Sequence, residues 1–174
     1  MNPIELRDHA LWATKVMRPH SAGALRRDDA RNQLRSTLVA YSSKYSLRFH
    51  AWAVQPSRIH LVIAIPTDRA LSDVLASLFG YYTRRFNARY GKSGPVFRSK
   101  YLRRVMIGPL AITEAIRRVH ALPRAEGIKP QPGEEPWSSH DCYEHGGTSD
   151  GVVTLYAPQV VAVRRAPRAP YLAS

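Results

Sequence analysis

A single cysteine in 174 residues, Cys142, leaves no partner for an internal disulfide and no basis for a multi-cysteine zinc site. Acidic residues are also scarce, with 13 Asp and Glu against 26 Lys and Arg, for a formal net charge of +13. An excess of that size points to a polyanionic partner, nucleic acid ahead of a membrane surface. No apolar run approaches the roughly 20 residues that span a bilayer, and the segment from Met1 to Trp12 lacks a basic stretch followed by an apolar core. The expectation is a cytoplasmic protein without a membrane partner. Internal repeats are absent too, which excludes a solenoid.

What is present suffices for one core. At 44% hydrophobic content, the chain is expected to form one compact domain over 1–145 and an irregular basic tail over 146–174. The final stretch, RRAPRAPYLAS, carries arginines and no acid. The pattern predicts a strand over 6–17, then a helix over 26–45 whose apolar stripe is Leu34, Leu38, Val39 and Tyr41. Strands over 47–54 and 59–65 follow, joined at Gln55, Pro56 and Ser57. A helix over 71–90 buries Val74, Leu75, Leu78, Tyr82 and Phe86. Gly91 to Pro95 interrupts the chain before a strand over 96–107. Pro109 then starts a helix that carries Ile112, Ile116 and Val119 and stops before Pro123. The order βαββαβ is that of an α+β, ferredoxin-like split βαβ fold: an antiparallel sheet, two helices on one face, and an added C-terminal helix.

The densest basic run lies between Tyr81 and Arg104. It holds Arg84, Arg85, Arg89, Lys92, Arg98, Lys100, Arg103 and Arg104 with no acid, interleaved with Tyr81, Tyr82, Phe86, Tyr90, Phe97 and Tyr101. Cations neutralise phosphates and aromatic faces stack unpaired bases, a combination suited to single strands. Tyr82, Phe86 and Phe97 continue the apolar stripes and are assigned to the core, so the charges carry the argument. His140, Cys142 and His145 mimic a metal cluster, but zinc takes four ligands and no second cysteine is available.

Four fragments, in order, resemble the HUH-class tyrosine transposases of the REP-associated and small insertion-sequence kinds. Pro56-Ser57-Arg58-Ile59-His60-Leu61-Val62 stands where that family carries Pro-Asn-His-hydrophobic-His before an apolar strand. Gly94 to Met106 is similar to its Gly-x-hydrophobic-aromatic strand. Ala115 to Gly127 is similar to the helix bearing its nucleophilic tyrosine, and Trp137-Ser138-Ser139 with Tyr143 matches its tail. The resemblance implies binding of single-stranded or hairpin DNA, and cleavage through a phosphotyrosine bond at a Mg²⁺ or Mn²⁺ site.

The residues that would perform that cleavage are exchanged. Strand alternation places 58 and 60 on one face, where two histidines can share an ion. Arg58 has no lone pair to offer. The family alignment puts Arg118, beside Arg117, at the nucleophile and Leu122 at a further ligand position, leaving His60 alone. No catalytic residue, metal or cofactor is therefore expected. Arg58, His60, Arg117 and Arg118 join the basic run as candidate DNA-binding residues, with Arg58 and Arg118 expected to line one groove and hold a phosphate bidentately. Two alternatives stay open. One is an active enzyme with a relocated nucleophile, Tyr81, Tyr82 or Tyr101, and an ion on His60 with Asp68 or Glu114. The other is an RNA-binding module on the same fold. The sequence leaves a monomer and a homodimer both open.

Overall fold

The computed structural model describes residues 9–65, 70–131, 133–144 and 152–156. Ten elements follow one another: strand β1 (His9–Val16), 3-10 turns at Pro19–Ser21 and Ala24–Arg26, helix α1 (Asp28–Tyr45), strands β2 (Phe49–Gln55) and β3 (Arg58–Ala64), helix α2 (Leu71–Tyr90), strand β4 (Leu102–Ile107), helix α3 (Pro109–Ala125) and the short helix α4 (His140–Glu144). The four strands form one sheet in the order β2-β3-β1-β4, with every adjacent pair antiparallel. This is the ferredoxin-like arrangement expected from the sequence.

Strand alternation divides the sheet into two faces. Leu11, Ala13, Ile59, Leu61 and Ile63 point toward α1 and α2 and share a core with Leu34, Leu38, Leu75, Leu78, Tyr82 and Phe86. On the other face, Ala10, Ala51, Ala53 and Val62 meet Ile112, Ala115, Ile116 and Val119 of α3. Small side chains on the strands allow α3 to lie close to the sheet. Burial of Ile112, Ile116 and Val119 contributes roughly 1.5–3 kcal/mol each. No helix among the described residues is long and apolar enough to cross a membrane.

Three elements depart from expectation. β4 begins at Leu102 rather than 96, because Val96 and Phe97 pack into the α1–α2 core and this stretch pairs with the sheet only at an isolated antiparallel bridge, Met17 with Phe97. Arg18 N–H donates to the Val96 carbonyl and Arg98 N–H to that of Val16, fixing this stretch as an irregular plug at the end of β1. α3 runs through Pro123 to Ala125. A proline forfeits one backbone bond, but here it stands in the last turn with its ring buried. α1 starts at Asp28, since Ala24–Arg26 forms a separate 3-10 turn.

The C-terminal residues seal the β2 edge. Val54 N–H donates to the Trp137 carbonyl at 2.8 Å, and Ser139 N–H to that of Trp52 at 3.0 Å. Farther along, Val153 pairs parallel to Phe49 and Thr154 N–H donates to the Phe49 carbonyl at 2.8 Å. Residues 152–156 of the expected tail therefore lie along the sheet, and its remaining residues, 146–151 and 157–174, lie outside the described residues.

A buried arginine clamps the segment that precedes Trp137. Arg31, 2% exposed, donates to the backbone carbonyls of Leu25, Arg26 and Glu135. It also pairs with Asp28 and, at 2.7 Å, with Glu134. Its guanidinium lies 4.1 Å from the centroid of the Trp137 ring. Glu134 in turn accepts the Trp137 indole N–H at 2.9 Å.

Candidate functional site

The sheet face under α3 carries the residues singled out in β3. Across the two-residue turn Pro56-Ser57, Gln55 pairs with Arg58 and Ala53 with His60. On the other side of β3, His60 faces Thr14 and Arg58 faces Val16. His60 is 5% exposed, and both ring nitrogens are engaged. Nε2 lies 2.8 Å from Gln55 Oε1, and Nδ1 lies 3.0 Å from Thr14 Oγ1. A neutral imidazole fits this pair in one tautomer: Nε2–H donates to the amide oxygen, and Nδ1 accepts from the hydroxyl. Burial, with the Arg58 charge nearby, lowers the His60 pKa to about 4.

These side chains do not suit a divalent ion. The one lone pair of neutral His60 already accepts the Thr14 hydroxyl hydrogen bond, and the neighbouring position holds a guanidinium in place of a lone-pair donor. Among the described residues no group of three or more His, Cys, Asp or Glu is placed to hold a metal. Glu114 is engaged by Arg117, at 2.8 and 2.9 Å, and by Arg118 at 2.7 Å. These partners hold its pKa down at about 2. Asp68 and His145 lie outside the described residues.

The two arginines expected in one groove are separated. Arg118 lines a cavity of about 170 Å³ between β4 and α3, together with Trp12, Arg104, Met106, Glu114 and Ala115. Arg58 is exposed at the start of β3 and is not in that lining. Arg58 aligns with Val16 of β1 and Arg104 with Trp12, a displacement of roughly 13 Å along the strand. Trp12 stands between the two regions, its ring 6.3 Å from that of His60 in an edge-on contact. Neither Trp12, Thr14 nor Gln55 was singled out from sequence. Gln55 was within reach, because a two-residue turn places it diagonal to His60. Thr14 lies 46 residues away and gave no signal.

The basic run between Tyr81 and Arg104 is divided by the sheet. Arg84, Arg85 and Arg89 are exposed on α2, and Lys92, Arg98 and Lys100 are exposed in the segment that follows. Arg103 aligns with Ala13 on the α2 side, whereas Arg104 aligns with Trp12 on the α3 side. Arg89 is paired with Asp29 at 2.9 Å. Arg117 is exposed beside Arg118.

The three tyrosines that are candidate relocated nucleophiles all pack in or against the α1–α2 core. Tyr82 is fully buried in the α2 core, and its hydroxyl donates to the Ala30 carbonyl at 3.3 Å. Burial raises its pKa well above the usual phenol value. Tyr81 packs against Tyr41, the rings tilted at 48°, on the same side of the sheet and opposite His60. Tyr101 is half-buried just before β4.

The tail residues act as anchors. Tyr143 hydroxyl donates to the His50 carbonyl at 2.7 Å and accepts from Tyr156 N–H at 3.1 Å. Ser138 Oγ accepts from His140 N–H at the start of α4. His120 lies 2.9 Å from Ser139 Oγ, and burial, reinforced by His140, brings its pKa to about 4.

Residues 5–107 match the family model of IS200-like transposases. Among solved structures, the chain is similar to a REP-associated tyrosine transposase bound to a REP hairpin, with 14% identity, 98% of each chain covered and a TM-score of 0.64. It is also similar to a candidate transposase from Deinococcus radiodurans R1, with 19% identity over 71% of this chain and 90% of that one, at a TM-score of 0.45. The first of these likenesses shows the fold. No curated protein sequence matches.

Proposed function

Because the chain belongs to the IS200-like transposase family, we propose that it binds single-stranded or hairpin DNA and no longer cleaves it. The observation that carries this reading is the state of His60, riveted between Thr14 and Gln55 with no nitrogen left for an ion. Further support comes from Arg58 and Arg118 at positions that the family resemblance assigns to a metal ligand and the nucleophile. A formal charge of +13 supplies the long-range attraction for a phosphate chain. The same argument implies that neither Mg²⁺ nor Mn²⁺ is used.

The partner proposed is a DNA hairpin with unpaired flanks, by extension from the REP hairpin bound to the similar transposase. The test is incubation of the whole chain with end-labelled hairpin DNA, with and without Mn²⁺. A retarded complex is expected on a native gel, and free DNA of unchanged length on a denaturing gel. Protein covalently joined to a DNA end, sensitive to a chelator, would overturn the loss of cleavage.

A further inference from the structure

The cavity between β4 and α3 has a chemistry that none of the foregoing uses. Its floor is apolar and aromatic, formed by Trp12, Met106 and Ala115, while Arg104 and Arg118 supply positive charge and Glu114 a carboxylate. At about 170 Å³ it is smaller than the roughly 300–1,000 Å³ of pockets that engulf whole small molecules. One planar ring is in scale with it. Trp12 lines the cavity, and its indole N–H is buried without an acceptor among the described residues, so what the ring offers a ligand is its apolar surface. Arg104 makes no ion pair among the described residues. Arg118 is 58% exposed at its side chain, so both guanidinium groups remain open to an anion.

We infer that this cavity receives one unpaired nucleobase, stacked against Trp12, with the flanking phosphate held by Arg104 and Arg118. A phosphate inside the cavity fits less well, since Glu114 would repel it and the floor offers it no polar contact. A base presents an apolar face to Met106 and Ala115. Its edge carries, in three of the four DNA bases, an exocyclic amine that Glu114 can accept from. Arg117 and Arg118 occupy part of the Glu114 carboxylate, which still has lone pairs to spare. The inference rests on the proposed binding of hairpin DNA and specifies where one unpaired residue of that DNA sits.

The test is abasic scanning of the single-stranded flanks and loop of a DNA hairpin, with affinity measured on the full chain. Removal of the base at one unpaired position is expected to weaken binding about tenfold, the scale of one stacked base. Ala111→Met, which fills the cavity without altering charge, should weaken binding of the intact hairpin by a similar factor and become insensitive to that abasic site. A readout independent of any variant is 2-aminopurine at the same position, whose fluorescence should be quenched on binding as its ring meets Trp12. If the intact hairpin binds and every abasic hairpin binds equally well, the base pocket is overturned and hairpin binding stands. If the wild-type chain binds no hairpin at all, the reading beneath it falls as well.

Discussion

Thr14 and His60 face each other across β1 and β3, with the threonine oxygen 3.0 Å from Nδ1. That contact, with Gln55 on the opposite nitrogen at 2.8 Å, makes the imidazole part of the sheet. A side chain whose family counterpart grips an ion is here spent on cross-strand bonding.

The first prediction concerns acid stability. His60 and His120 both titrate near pH 4 when folded, against about 6.5 when unfolded. Between these values the unfolded chain takes up protons that the folded chain refuses. Their contribution is therefore complete above pH 6.5 and drains away as the pH falls toward 4, on the order of 2 kcal/mol per histidine. Urea midpoints measured between pH 7.5 and 4 should fall steeply. His60→Gln, which stays neutral and can still donate and accept, should make the fall shallower.

The second concerns metal. Arg58→His restores a histidine pair in sequence, but His60 still has its lone pair committed. Titration calorimetry with Mn²⁺ should detect no binding to that single variant. Adding Gln55→Ala frees Nε2 through the other tautomer, with Thr14 then accepting from Nδ1–H, and the double variant should bind Mn²⁺ measurably. Equal binding by the single variant would contradict the rivet.

The third concerns Arg31. Its guanidinium satisfies three carbonyls, pairs with Glu134 and lies over Trp137. Arg31→Ala leaves the half-buried Glu134 carboxylate and several backbone acceptors unmatched, a loss on the order of 2–3 kcal/mol. Lysine lacks the planar fork, so Arg31→Lys should recover little of it. Denaturant unfolding of the three proteins measures the differences.

The fourth concerns charge. Arg58 and Arg104 make no ion pair among the described residues, whereas Arg89 is held by Asp29. Arg58→Ala and Arg104→Ala should each reduce the salt dependence of hairpin-DNA affinity by about one unit of log–log slope. Arg89→Ala should change it less, because a partly neutralised cation releases fewer counterions. Fluorescence anisotropy from 50 to 300 mM salt, on the order of the range where such slopes are read, distinguishes them.

Much of the fold was legible because it rests on periodicity. α2 occupies the residues that its apolar spacing predicted, and the β2–β3 hairpin follows from a short turn between two apolar runs. Composition predicts β4 from 96, yet Val96 and Phe97 pack into the core and pair with the sheet only at the isolated bridge of Phe97 to Met17. The site was legible in its identities and not in its contacts. Arg58, His60 and Arg118 could be named from the sequence, yet what satisfies His60 comes from Thr14 on another strand. Arg31 gave no sign of burial, since an arginine in a polar helix reads as surface until the Trp137 segment covers it.

The two margins of the sheet are unequal. Beside β2, backbone groups are already matched by the stretches around Ser139 and Thr154, while among the described residues β4 is paired on one side only and shows Leu102, Val105 and Ile107 to solvent. A ribbon with one raw selvage and one hemmed one can be stitched to a neighbour once. Whatever joins it there, a fibre cannot grow by that seam.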